Sequence, residues 1–139
     1  MATMHADYQD RKRIVFTSRG RSFVNVRETL DDGPIGYSST ELLLLALGNC
    51  TLGALLNQPL LQDVSVARAE ATLDAEMARN PARIVKIAIA IDLEVEDGSV
   101  LAHRDELEAL ACACPICNTL SNVEITTKLN LTSRQPVAA

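Results

Sequence analysis

The stretch YSSTELLLLALGNCTLGALL, residues Tyr37 to Leu56, decides how the rest of the chain is read. Ser38, Ser39 and Thr40 suit a helix start, Glu41 suits the positive end of the dipole, and Leu42 to Leu47 are nearly all strong helix formers. A helix that is apolar on every side is expected to be buried on every side. Gly48, Asn49, Thr51 and Gly53 interrupt the run short of the ~20 apolar residues that a membrane span needs. One cysteine, Cys50, sits near its middle among small residues. Gln58, just before Pro59, is where the helix is expected to stop.

Working outward, Arg13 to Thr17 and Ser22 to Glu28 are short β-type runs around Ser18, Arg19, Gly20 and Arg21, which predicts a hairpin with Gly20 in the turn. Asp31 to Gly36 is turn chemistry that delivers the chain to the helix. Val64 to Ala75 reads as a strand and Asn80-Pro81 as a turn. Ile84 to Val95 places Val85, Ile87, Ile89, Ile91, Leu93 and Val95 on one face, the clearest strand pattern in the chain. These two runs are expected to pair as a long hairpin. An amphipathic helix follows over Leu101 to Cys112, a helical turn starts at Pro115, and Val123 to Leu131 reads as a closing strand. Residues 1–10 and 133–139 are expected to be loose termini. The order makes one α+β domain over residues 1–139, with antiparallel sheets around a buried central helix.

The 139 residues carry a formal net charge of -5, with no Trp and only two each of Phe and Tyr, so the core must be aliphatic. That charge argues against a nucleic-acid partner, which requires a basic face. The basic residues gather early, in Arg11, Lys12, Arg13, Arg19, Arg21 and Arg27, as a solvated strand face or a source of one positive charge for a site. Residues 1–10 lack a secretory pattern, and four cysteines without an export signal point to a reducing, cytoplasmic setting.

Cys50 alone reads as a small buried hydrophobe. Cys114 precedes Pro115 at a helix start, where free N–H groups and the dipole lower a thiol pKa. Two such thiols suit a peroxide-reducing pair, in which one becomes a sulfenic acid and the other condenses with it to a disulfide. Cys112, Cys114 and Cys117 also form a C-x-C-x-x-C cluster. Structural zinc needs four ligands, and His103 is the only further candidate nearby, so the spacing fits a zinc site poorly. Cys114 with Cys117 is a possible local CPIC redox pair, although the surrounding thioredoxin pattern is missing. His5 and His103 read as surface residues.

The stretches DGPIGYSSTELLLLALGNCT, NPARIVKIAIAI and LEALACACPICNTLS resemble the OsmC/Ohr family, the osmotically inducible protein C and organic hydroperoxide resistance proteins. With the order of elements, the resemblance covers most of Arg13 to Leu131. It implies thiol-dependent reduction of organic hydroperoxides on an intertwined homodimer, with an external dithiol as reductant and no metal or organic cofactor. Cys50 falls on the family's peroxidatic cysteine and Cys114 on its resolving cysteine. The family's organic hydroperoxide branch has a glutamate where this chain has Thr40; Glu41 matches the neighbouring acid of other branches. Nine residues at ~100° each put Glu41 and Cys50 on opposite helix faces, so Glu41 acts either at the helix start, by orienting an arginine, or across the dimer. The family's early-strand arginine has Arg19, Arg21 and Arg27 as candidates, with Arg21 preferred. These departures imply a less characterised OsmC-like branch. The expected activity is peroxidase; the alternative is a redox-sensing or binding protein without efficient turnover.

Overall fold

The computed structural model describes residues 2–135. The chain falls into two compact units, Met1–Leu42 and Leu43–Ala139, each taken by itself below. In the first, β1 (His5–Asp10), β2 (Arg13–Ser18) and β3 (Arg21–Val26) form an antiparallel sheet in that order. Arg19 and Gly20 both take positive φ, 50° and 73°, the conformation of a two-residue hairpin turn whose twist matches that of its strands. The expected hairpin is therefore present.

The expected loose N-terminus is not. His5 to Asp10 pairs with β2, from His5↔Thr17 to Asp10↔Arg13. An edge strand is held by backbone hydrogen bonds and needs little apolar patterning, so HADYQD gave a weak signal. At the other end, Ser133 belongs to a strand, and residues 136–139 lie outside the described residues.

After β3 comes a short ribbon of β4 (Thr29–Leu30) and β5 (Gly33–Pro34), with Gly33 at φ 115°, where only glycine is at ease. A Cβ on Gly36 would lie 2.1 Å from the Val26 carbonyl oxygen, so only glycine lets these backbones pass. Asn25, buried at 6% exposure, clamps the same place. Its Nδ2 donates to the Tyr37 carbonyl at 2.9 Å, and its Oδ1 accepts from the Tyr37 N–H at 2.8 Å.

The long apolar helix, α1 (Ser39–Leu56), runs into the second unit. Its buried residues are Leu47, Gly48, Thr51 and Leu55, a single stripe at helical spacing. Leu45 is 54% exposed and Leu56 37%, so burial on every side is corrected to burial on one face. The helix has the length and the mean hydropathy, 1.5, of a membrane span, yet Leu47 and Leu55 are wholly buried in the core.

Behind that stripe is a three-stranded sheet in the order β6 (Val66–Ala78), β7 (Arg83–Val95), β8 (Glu124–Ser133). β6 and β7 form the expected antiparallel hairpin. Ile87, Ile89, Ile91, Leu93 and Val95 are buried on one face of β7, each burial contributing on the order of 1.5–3 kcal/mol. The expected antiparallel pairings are present, and β8 adds a parallel pairing to β7, which makes this sheet a mixed one. Parallel pairing needs a crossover connection, supplied by a 3₁₀ turn (Gly98–His103), α2 (Arg104–Ala111) and α3 (Pro115–Thr119). Asp97 caps the 3₁₀ turn through the Ser99 N–H, so the regular helix begins later than the expected Leu101. Glu108 of α2 accepts the Leu129 N–H of β8 at 2.9 Å and pairs with Arg104, which pins the crossover to the strand. The class is α+β, as expected.

Candidate active site

The second unit brings together Cys50 and Cys114, 64 residues apart in sequence. Cys50 lies half-buried on α1. Two residues earlier, a Cβ on Gly48 would meet Leu73 Cδ1 at 3.1 Å, so this glycine lets α1 approach β6 closely. Gly48 is thus a packing glycine, while Gly53 faces open space.

Cys114 occupies the position expected of it, as N-cap of α3 with Pro115 next. Its Sγ accepts the Cys117 N–H at 3.4 Å, and the residue is 2% exposed. The Cys50 thiol lies near enough to Cys114 to act on its titration. The pKa expectation is corrected in sign. Burial, the largest influence, pushes the Cys114 thiol above its ordinary value, and the neighbouring Cys50 adds to this. The Cys117 and Ile116 N–H groups pull the other way and lose. The physical reason is that α3 has only five residues, so few aligned peptides stand against the cost of charging a buried sulfur. Cys114 therefore carries its proton at neutral pH.

Cys112 and Cys117 are joined in a disulfide with Cα atoms 5.7 Å apart, closing a loop around Cys114. Residue types alone left the roles of these two cysteines open; the signal that could have found the bond is the spacing of two flanking thiols about a helix start. With these two sulfurs bonded to each other, the cluster does not offer three free thiolates. Among the described residues no group of three or more His, Cys, Asp or Glu side chains is placed to hold a metal.

The other candidates belong to the first unit. Glu41 makes a capping box with Ser38: its Oε1 accepts the Ser38 N–H at 3.0 Å, and its own N–H donates to Ser38 Oγ at 3.1 Å. Arg21 opens β3, paired with Ser18, and its side chain is exposed. His5 is an exposed residue of β1, and His103 lies 3.5 Å from Glu106 on the surface.

What this arrangement can do is thiol chemistry: one half-buried sulfur and one buried, protonated sulfur near each other, beside an existing disulfide. A family model described as OsmC-like protein matches residues 31–129. No curated protein matches the sequence. Among solved structures, an OsmC-like protein of unknown function from Vibrio cholerae superposes with a TM-score of 0.79 at 12% identity, over 94% of this chain and 99% of that one. A putative osmotic stress induced and detoxification response protein from Psychrobacter arcticus gives 0.74 at 20% identity, over 94% and 96%. The organic hydroperoxide resistance protein OhrB of Bacillus subtilis gives 0.57 at 20% identity, over 94% and 97%. At these identities the likeness is one of fold.

Proposed function

The chain belongs to the OsmC-like family, and on that premise we propose that it is a cysteine-based peroxidase that reduces organic hydroperoxides to alcohols. The observation that carries this reading is the proximity of the Cys50 and Cys114 thiols, close enough for one to act on the titration of the other. In the first step the Cys50 thiolate attacks the distal peroxide oxygen; the O–O bond breaks, the alkoxide leaves as alcohol with a proton, and Cys50 becomes sulfenic acid. Cys114 then attacks the Cys50 sulfur, water leaves, and an S–S bond forms. Its proton is lost in that step, which suits a thiol kept neutral until needed. An external dithiol returns the two electrons.

We assign the supporting cation to Arg21, which the family resemblance favours; like Arg19 and Arg27 it has no ion pair among the described residues. Glu41 receives no chemical step, because its carboxylate is engaged at the helix start. The proposed working form is a homodimer, supported by the exposed apolar side of α1, and its proposed setting is the cytoplasm.

A second reading, a redox sensor or binding protein without efficient turnover, is favoured by the same raised Cys114 pKa, which slows resolution. The two separate in a steady-state assay of the reduced protein with cumene hydroperoxide and a dithiol. The peroxidase reading expects many turnovers, abolished by Cys50→Ser; a single stoichiometric oxidation supports the sensor, and full turnover by Cys50→Ser removes both.

A further inference from the structure

Cys114 is enclosed by a bond that the two-thiol scheme leaves unused. The chain from Cys112 to Cys117 folds round it, the Cys117 N–H lies on its sulfur, and Cys117 is itself 9% exposed. Cys112, at the other end of the bond, is half-buried, as Cys50 is. Access to solvent therefore falls from Cys112 to Cys117 and Cys114, and is regained at half-buried Cys50, which lies near Cys114. Cys112 and Cys117 are bonded to each other, and Cys50 and Cys114 are free thiols.

We propose that Cys112 and Cys117 are a second dithiol/disulfide pair, which takes the oxidising equivalents from Cys50 and Cys114 and presents them to the external dithiol. This rests on the peroxidase reading above. Once Cys50 and Cys114 are joined, the Cys117 thiolate attacks Cys114 Sγ. The Cys50–Cys114 bond breaks, Cys50 leaves as thiolate, and a Cys114–Cys117 bond forms. Cys112 then attacks Cys117 Sγ, Cys114 leaves, and the Cys112–Cys117 bond seen in the structure results. One S–S bond is lost and one gained, and the two protons of Cys112 and Cys117 end on Cys50 and Cys114. The dithiol reductant finally attacks at Cys112, the more accessible sulfur of that bond, and leaves as its own disulfide, which makes Cys112 and Cys117 catalytic residues of the reductive half-reaction.

The test uses the wild-type chain, fully reduced without air and given one equivalent of cumene hydroperoxide. Samples are quenched over time, alkylated, and mapped for disulfides by mass spectrometry. A Cys50–Cys114 bond that forms first and gives way to Cys112–Cys117 is the expected result. In Cys112→Ser the exchange stalls as a trapped Cys114–Cys117 bond, and dithiol-driven turnover drops several-fold while the first oxidation of Cys50 keeps its rate. Peroxide consumed with the bond staying at Cys50–Cys114 overturns the relay and leaves the peroxidase reading standing. Peroxide not consumed overturns both.

Discussion

The two compact units are stabilised in different ways. Every buried apolar side chain among the described residues lies in the second unit, from Leu47 to Leu129, and so do all four cysteines. The first unit has Asn25 as its buried residue and leaves Tyr8 at 66%, Phe23 at 48% and Val24 at 49% exposure. It is held by strand pairing, a stacked Phe16–Phe23 pair and the Asn25 clamp on Tyr37. The two sulfurs of the proposed chemistry are thus housed where packing is dense, whereas the first unit is a sheet shaped by backbone geometry.

That contrast predicts different sensitivities. In the second unit, Leu93→Ala removes a wholly buried side chain and is expected to cost about 2–5 kcal/mol in denaturant unfolding. A loss under about 1 kcal/mol would contradict the assigned core. In the first unit, Gly36→Ala forces a methyl against the Val26 carbonyl, with an expected cost of about 1–3 kcal/mol, and Asn25→Ala orphans the Tyr37 N–H at a similar cost. Hydrogen exchange should place both losses in residues 5–37 and leave β7 protected; faster exchange spread evenly over the chain would erase the distinction. Arg21→Ala should lower kcat/KM for cumene hydroperoxide by about tenfold or more without moving the unfolding midpoint, whereas the same change at Arg19 should not. Smallest is the effect of pH on the reduced protein. Unfolded Cys114 loses its proton near pH ~8.5 and the folded residue only at higher pH, so stability falls as pH rises through that window. The slope is at most about 1.4 kcal/mol per pH unit, and Cys114→Ala should remove that share of it.

Period and turn chemistry made much of this fold legible. The alternation of Ile87 to Val95, the Arg19-Gly20 turn and Pro115 after Cys114 each act locally, and each appears where its pattern pointed. Three features depend on what lies opposite in space. The parallel register of β8 is set by the crossover before it, which the apolar pattern of Val123 to Leu131 does not encode. The one-sided burial of α1 reflects the single sheet face available to an all-round apolar helix. The raised pKa of Cys114 comes from burial overriding a short helix start. At the site, the residue types singled out Cys50 and Cys114, while the bond between Cys112 and Cys117 became visible only with the turn between them folded.

The most direct measurement takes the Cys112→Ser/Cys117→Ser double variant, in which only Cys50 and Cys114 carry thiols. One equivalent of cumene hydroperoxide is added to the reduced protein, and the products are mapped by mass spectrometry. The account predicts a single intramolecular Cys50–Cys114 disulfide formed in step with peroxide loss. Accumulation of Cys50 as sulfinic acid with Cys114 still free to alkylate would contradict it.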